Sequence, residues 1–110
     1  MTLTDYQKKA SRTINTKLNQ QQLNEHALFG LCSEVGELHG IYQKIYQGHE
    51  FDKGHALKEA GDILWFLAEF CSANDIWLDE VAETNITKLL ERYPEGFDAD
   101  HSIHRKEDDI

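Results

Sequence analysis

Apolar positions recur along this chain at spacings of three and four residues, the period of a helix that packs on one side, and nowhere do they alternate as a half-buried strand requires. Four helical stretches follow from that pattern. The first runs from about Leu3 to Leu18, the second from about Asn24 to Tyr46 with Asn24 as its cap, the third from Lys53 to about Ala73 behind Asp52, and the fourth from roughly Leu78 to Arg92. Asn19-Gln20-Gln21-Gln22 reads as the turn between the first two, and Gln47 to Asp52 as a loop. Pro94 disfavours helix at Tyr93, so residues 93–110 read as an irregular arm outside a core of about 24–92. At 110 residues the whole chain fits one domain.

The faces of these helices are uneven. On the second, Leu28, Leu31, Cys32, Val35, Leu38, Tyr42, Ile45 and Tyr46 share one broad arc, with Glu34 at its edge and Glu37 one step further round. On the third, Ile63, Leu64, Trp65, Phe66, Leu67, Ala68, Phe70 and Cys71 leave almost no polar side, yet Glu59, Asp62 and Glu69 share a stripe among them. These acids are expected to face protein. The expected architecture is an all-α antiparallel bundle of about four helices. Three short neighbours do not suffice to cover the third helix, so a homo-oligomer, dimer or tetramer, is also expected.

Composition narrows the classes. Apolar residues make up 40% and charged residues 28%, with a single Pro, as in an ordinary folded protein. A net charge of −9 opposes binding to a nucleic-acid polymer, which needs clustered Lys and Arg. The start lacks a signal peptide's pattern and no apolar run approaches a membrane span, so the expectation is a cytoplasmic protein without membrane contact. Cys32 and Cys71 form no Cys-x-x-Cys and lie in apolar patterns, which reads as reduced, buried thiols; Trp65 and Trp77 also read as core. The six His form no recognisable site and read as surface residues. No Glu-x-x-His occurs, against a di-iron carboxylate bundle.

The acids carry the candidate chemistry. Glu34 with Glu37, and Glu59 with Asp62, are i, i+3 pairs whose Cβ atoms stand ~5 to 6 Å apart on one helix face. One such pair is common on a solvated face. Two pairs on the two most apolar helices would converge if the helices pack side by side, and a divalent cation would offset the cost of removing four carboxylates from water. Oxygen donors without His or Cys suit Mg²⁺, with Mn²⁺ as the alternative. Gly36 and Gly61, inside the pairs, read either as a close backbone approach or as neutral packing. On the fourth helix Asn85, Lys88 and Arg92 form a stripe that either meets phosphate oxygens or pairs with acids such as Glu91 and Glu95.

Leu31-Cys32-Ser33-Glu34-Val35-Gly36-Glu37-Leu38 followed by Lys58-Glu59-Ala60-Gly61-Asp62-Ile63-Leu64-Trp65 resembles the paired acid motif of the MazG-like nucleotide pyrophosphohydrolases. These belong to the all-α nucleoside triphosphate pyrophosphatase superfamily, with the dimeric dUTPases and dCTP pyrophosphatases. Asn85 to Phe97, including Arg92-Tyr93-Pro94, is similar to the family's downstream segment. The resemblance implies Mg²⁺ held by Glu34, Glu37, Glu59 and Asp62, with Glu34 or Glu37 as general base. It also implies substrate phosphates contacted by Asn85 and Lys88, with help from Arg92 or Arg105, and cleavage of a nucleoside triphosphate between the α and β phosphates. Ser33 stands where the family usually has a further acid, which removes one outer ligand. The competing expectation is a catalytically silent helical module that binds another protein or senses nucleotide.

Overall fold

The computed structural model describes residues 1–110 and contains five helices and no strand: α1 (Leu3–Ser11), α2 (Gln20–Tyr46), α3 (Lys53–Ala73), α4 (Leu78–Arg92) and α5 (Ala99–Ile103). The all-α class and the bounds of α3 and α4 match the periodicity. The N-terminal third differs from it. α1 ends at Ser11 instead of reaching Leu18, because the Ser11 and Thr13 hydroxyls donate back to the carbonyls of Lys8 and Ala10, and Asn15 Oδ1 accepts from the Lys17 amide. Such local bonds offer the backbone an alternative to the helical ladder.

α2 begins four residues before Asn24. Asn19 Oδ1 accepts from the Gln22 amide at 2.9 Å while Gln22 Oε1 accepts from the Asn19 amide at 3.0 Å, a reciprocal capping box. The glutamine run is therefore the first turn of the helix and not a connector. Asn24, inside α2, reaches across to Asn74 instead of capping. The arm also holds an unanticipated helical turn, α5, opened by Asp98, whose side chain accepts from the Asp100 and His101 amides.

α2 and α3 form an antiparallel hairpin. α2 stops in a Schellman turn in which the His49 amide bonds the Lys44 carbonyl and Gly48 takes φ +96°, a conformation that favours glycine. The register reads off cross-contacts: Tyr42 stacks near Phe51, the Phe66 ring lies against Gly30, His26 bonds Glu69, and Asn24 bonds Asn74. At Gly30 a Cβ atom would stand 2.2 Å from the Phe66 ring, so only glycine permits the approach. Gly36 and Gly61 have nothing within 4 Å of such an atom, so the close approach lies two turns from where the acid motifs suggest it.

α1 lies on α3, and α4 packs on α1. Their junction holds the small core, Ala68, Cys71 and Leu78, surrounded by Tyr6, Ala10, Leu64, Leu67, Phe70 and Ile76. Buried Gln7 ties the corner: its amide nitrogen donates to Ser72 Oγ and the Ile76 carbonyl, and its oxygen accepts from the Leu78 amide.

The radius of gyration is 17.2 Å, against about 13 Å for a compact domain of this length. Only seven residues are buried. The core-facing arc read on α2 is half covered: Leu31, Leu38 and Ile45 are partly enclosed, but Leu28, Cys32, Val35, Tyr42 and Tyr46 are exposed. Cys32 is thus not a buried thiol, whereas Cys71 is; both are free. Trp77 is likewise exposed at the surface, with the Lys8 ammonium 5.9 Å above its ring. No helix is long and apolar enough to cross a membrane.

Candidate metal centre

Because α2 and α3 run antiparallel with Gly30 against Phe66, the residues one turn along each helix also meet. Those residues are Glu34 on α2 and Asp62 on α3, and Glu59 follows one turn beyond Asp62 on the same face. Glu34, Glu59 and Asp62 each offer an oxygen, and the three oxygens lie within 4.8 Å of one another. Around an octahedral Mg²⁺ with bonds of about 2.1 Å, ligand oxygens stand roughly 3.0 to 4.2 Å apart, so small side-chain adjustments suffice to close the set on one ion. Glu34 faces the helix seam directly, where the apolar arc placed it only at the edge.

The electrostatics agree with the geometry. The Glu34 carboxyl titrates above the usual glutamate range, first because its protonated form shares a hydrogen bond with Glu59, then through partial burial and the negative charge of Glu59, Asp62 and Glu37. Three acids crowded this way favour either a retained proton or a cation. The donor set is entirely carboxylate, which fits a hard divalent ion and not a thiophilic one. Glu37 is exposed and outside the group of three, although near enough to act on Glu34.

Two features escaped the sequence. His55 Nε2 stands 3.1 Å from Glu59 Oε1, orienting one of the three carboxylates from four residues away on the same helix. The i, i+4 spacing carried that signal. Glu69, aligned with Glu59 and Asp62 on the wheel, has a separate role: its side chain is fully buried and both oxygens lie 2.9 Å from His26 Nδ1. His26 and His55 are therefore partners of carboxylates and not free surface histidines.

The residues expected to meet phosphate are not beside the carboxylates. Asn85 is exposed on α4, and Lys88 and Arg92 open onto a cavity of about 270 Å³ shared with Arg105. Arg92 forms a bidentate pair with Asp109, Nε to Oδ2 at 2.7 Å and Nη2 to Oδ1 at 2.6 Å, in place of the Glu91 or Glu95 partners that spacing suggested.

Comparison with known proteins decides the family. Residues 22–97 match the family described as MazG nucleotide pyrophosphohydrolase domain. The chain belongs to that family. The matched span of this MazG domain takes in α2, the hairpin, α3 and α4 through Arg92, so it contains both acid pairs and the cationic stripe. It is also 28% identical over 76 residues to the Gene 37 protein of Mycobacterium phage L5, covering 64% of this chain and 67% of the phage protein. No solved structure matches this chain.

Proposed function

We propose that this MazG domain is a Mg²⁺-dependent nucleoside triphosphate pyrophosphohydrolase, cleaving between the α and β phosphates to give a nucleoside monophosphate and pyrophosphate. The observation that carries the reading is the convergence of Glu34 with Glu59 and Asp62 across the hairpin, in a member of a nucleotide pyrophosphohydrolase family. Bound there, the cation, Mg²⁺ or in its place Mn²⁺, supplies charge neutralisation on the phosphate oxygens and acidifies a water.

The chain's own groups supply the rest. Glu34, Glu59 and Asp62 hold the cation, with His55 fixing the rotamer of Glu59. Glu37, one turn beyond Glu34 and outside the group of three, completes the coordination or takes the proton of the attacking water, the role for which Glu34 is its rival. Asn85, Lys88, Arg92 and Arg105 bind the phosphate chain, a polyanion that this acidic protein accepts only where cations reverse the local field. Since α4 packs on α1 and the carboxylates lie on the α2–α3 seam, we assign the functional unit to a homodimer or homotetramer in which one copy's α4 serves its neighbour's carboxylates. The exposed apolar stripe of Leu28, Val35, Tyr42 and Tyr46 gives such an assembly a surface to bury.

The test is a panel of nucleoside triphosphates followed for pyrophosphate release with Mg²⁺ and with chelator. Release from at least one nucleotide, lost on chelation and in Asp62→Ala, is the expected outcome. An inert panel would remove the enzymatic reading, and a monomeric mass by light scattering at micromolar concentration would remove the assembly.

A further inference from the structure

Among the chain's surfaces, one cavity gathers cations in an acidic molecule. In a protein of net charge −9 with eleven Lys and Arg, four of them, Lys88, Arg92, Arg105 and Lys106, line a single cavity of about 270 Å³, where they face the carboxylates of Glu91, Asp108 and Asp109. The segment after α5 folds back so that the Asp109 carboxylate lies in this cavity and takes both forks of the Arg92 guanidinium. The Arg92 and Asp109 side chains are 9% and 14% exposed, so the contact is well shielded.

A planar guanidinium gripped by two carboxylate oxygens uses the same donor geometry that it offers to two oxygens of a phosphate. Two of the other cations act on the same carboxylate: Arg92 first, by its hydrogen bonds and charge, then Arg105 and Lys88 hold the Asp109 carboxyl below its ordinary range. Asp109 thus stands where a phosphate would stand with respect to three cationic side chains.

We propose that this cavity binds the diphosphate part of a nucleotide and that Asp109 is a built-in competitor for it, so that ligand binds only after the 108–110 segment releases Arg92, with Arg105 and Lys106 left in the cavity wall. This inference rests on the reading above for the role of Lys88, Arg92 and Arg105, and adds the regulation of that site by the chain itself. While the segment is docked, the fraction of molecules competent to bind falls, and the apparent dissociation constant rises by the inverse of that fraction. If nine-tenths of the molecules are docked, removing the competitor tightens binding roughly tenfold.

The experiment is calorimetric titration of the full chain with inorganic pyrophosphate in metal-free buffer, for the unaltered protein, Asp109→Asn, Asp109→Ala and Arg92→Gln, each first checked for unchanged helical circular dichroism. Asp109→Asn and Asp109→Ala should both bind pyrophosphate about tenfold tighter, and Arg92→Gln should lose binding. Equal affinity in the unaltered protein and both Asp109 variants would overturn the proposal, because the pair would then be a structural clamp only. So would the absence of pyrophosphate binding from every form. Turnover is not the readout, so the two claims fail separately. An active hydrolase with equal affinities sinks only the competitor, while an inactive protein whose Asp109 variants bind tighter sinks only the enzymatic reading.

Discussion

Gly30 gives the sharpest link between packing and the candidate metal centre. Replacing it with Ala puts a Cβ atom 2.2 to 2.4 Å from three atoms of the Phe66 ring, where ordinary contact needs about 3.5 to 4 Å, so the ring or the helix must move by more than about 1 Å. The ring is not free to swing, since Trp65 packs edge-on at 5.1 Å and His26 tilts over it at 5.6 Å. Overpacking of this kind costs about 1 to 3 kcal/mol, and the better helix propensity of Ala returns about 1 kcal/mol. The net expectation is a loss of up to about 2 kcal/mol, or up to roughly 10 °C in Tm for a chain of this size. Prising the helices apart at Gly30 also separates Glu34 from Asp62 one turn away, so Mg²⁺ affinity should fall with stability. Urea and thermal unfolding at fixed protein concentration, with Mg²⁺ titrated into each variant, measure both. Gly36→Ala is the control, because nothing in the chain lies within 4 Å of its added carbon; it should stabilise by about 1 kcal/mol. A Gly30→Ala protein as stable as the parent with undiminished Mg²⁺ affinity would refute the register. Destabilisation by Gly36→Ala would instead place a second copy's backbone against that glycine.

Three further outcomes are expected. Mg²⁺ at a hundred times its dissociation constant should stabilise the protein by about 2.7 kcal/mol, and Asp62→Asn should abolish the effect while raising the stability of the chelated protein; calorimetric scans with Mg²⁺ and with EDTA read both. Without metal, stability should fall as pH rises from the ordinary glutamate range through the raised pKa of Glu34, since the folded state holds that proton more tightly than the unfolded chain does. Glu34→Gln should flatten that part of the stability profile, and an unchanged slope would reject the assignment. His26→Ala should cost about 1 to 3 kcal/mol by leaving the buried Glu69 side chain without its hydrogen-bond partner, whereas replacing both by apolar residues of similar volume should recover most of the loss in the same denaturant assay.

Much of this site was legible because helical geometry is local. The spacing of Glu34, Glu59 and Asp62 fixed which acids share a face, and the apolar bulk around Ile63 to Cys71 fixed that two helices pair. What spacing does not contain is rotation about the helix axis relative to a neighbour. The apolar arc of α2 is wider than the strip that touches α3, so the wheel centred the seam on Leu31 to Val35, whereas Ala27, Gly30, Glu34 and Ile41 occupy it. For the same reason Glu69 looked like a third member of the acid stripe. Its burial against His26 depends on a residue far away in sequence. The start of α2 was legible in principle, since Asn19-x-x-Gln22 is a capping box, but a run of glutamines resembles a connector when only apolar periodicity is followed.

The same rotation explains how one hairpin serves two demands. A strip of small and apolar groups, Ala27, Gly30 and Ile41, brings the helices close, and that closeness is what forces Glu34 upon Glu59 and Asp62. The hairpin therefore crowds repelling acids at a partly exposed stretch of the seam, where water screens them only in part. A protein selected for stability alone would relieve that repulsion with neutral side chains at these three positions. Retaining carboxylates there is intelligible if the folded hairpin is completed by a cation, and the part of α2 that faces away from α3 by a second copy. On that argument the exposed arc of α2 and the crowding of its acids have one geometric origin: the seam with α3 runs along the side of α2 that carries Glu34 and leaves Leu28, Val35, Tyr42 and Tyr46 on the other.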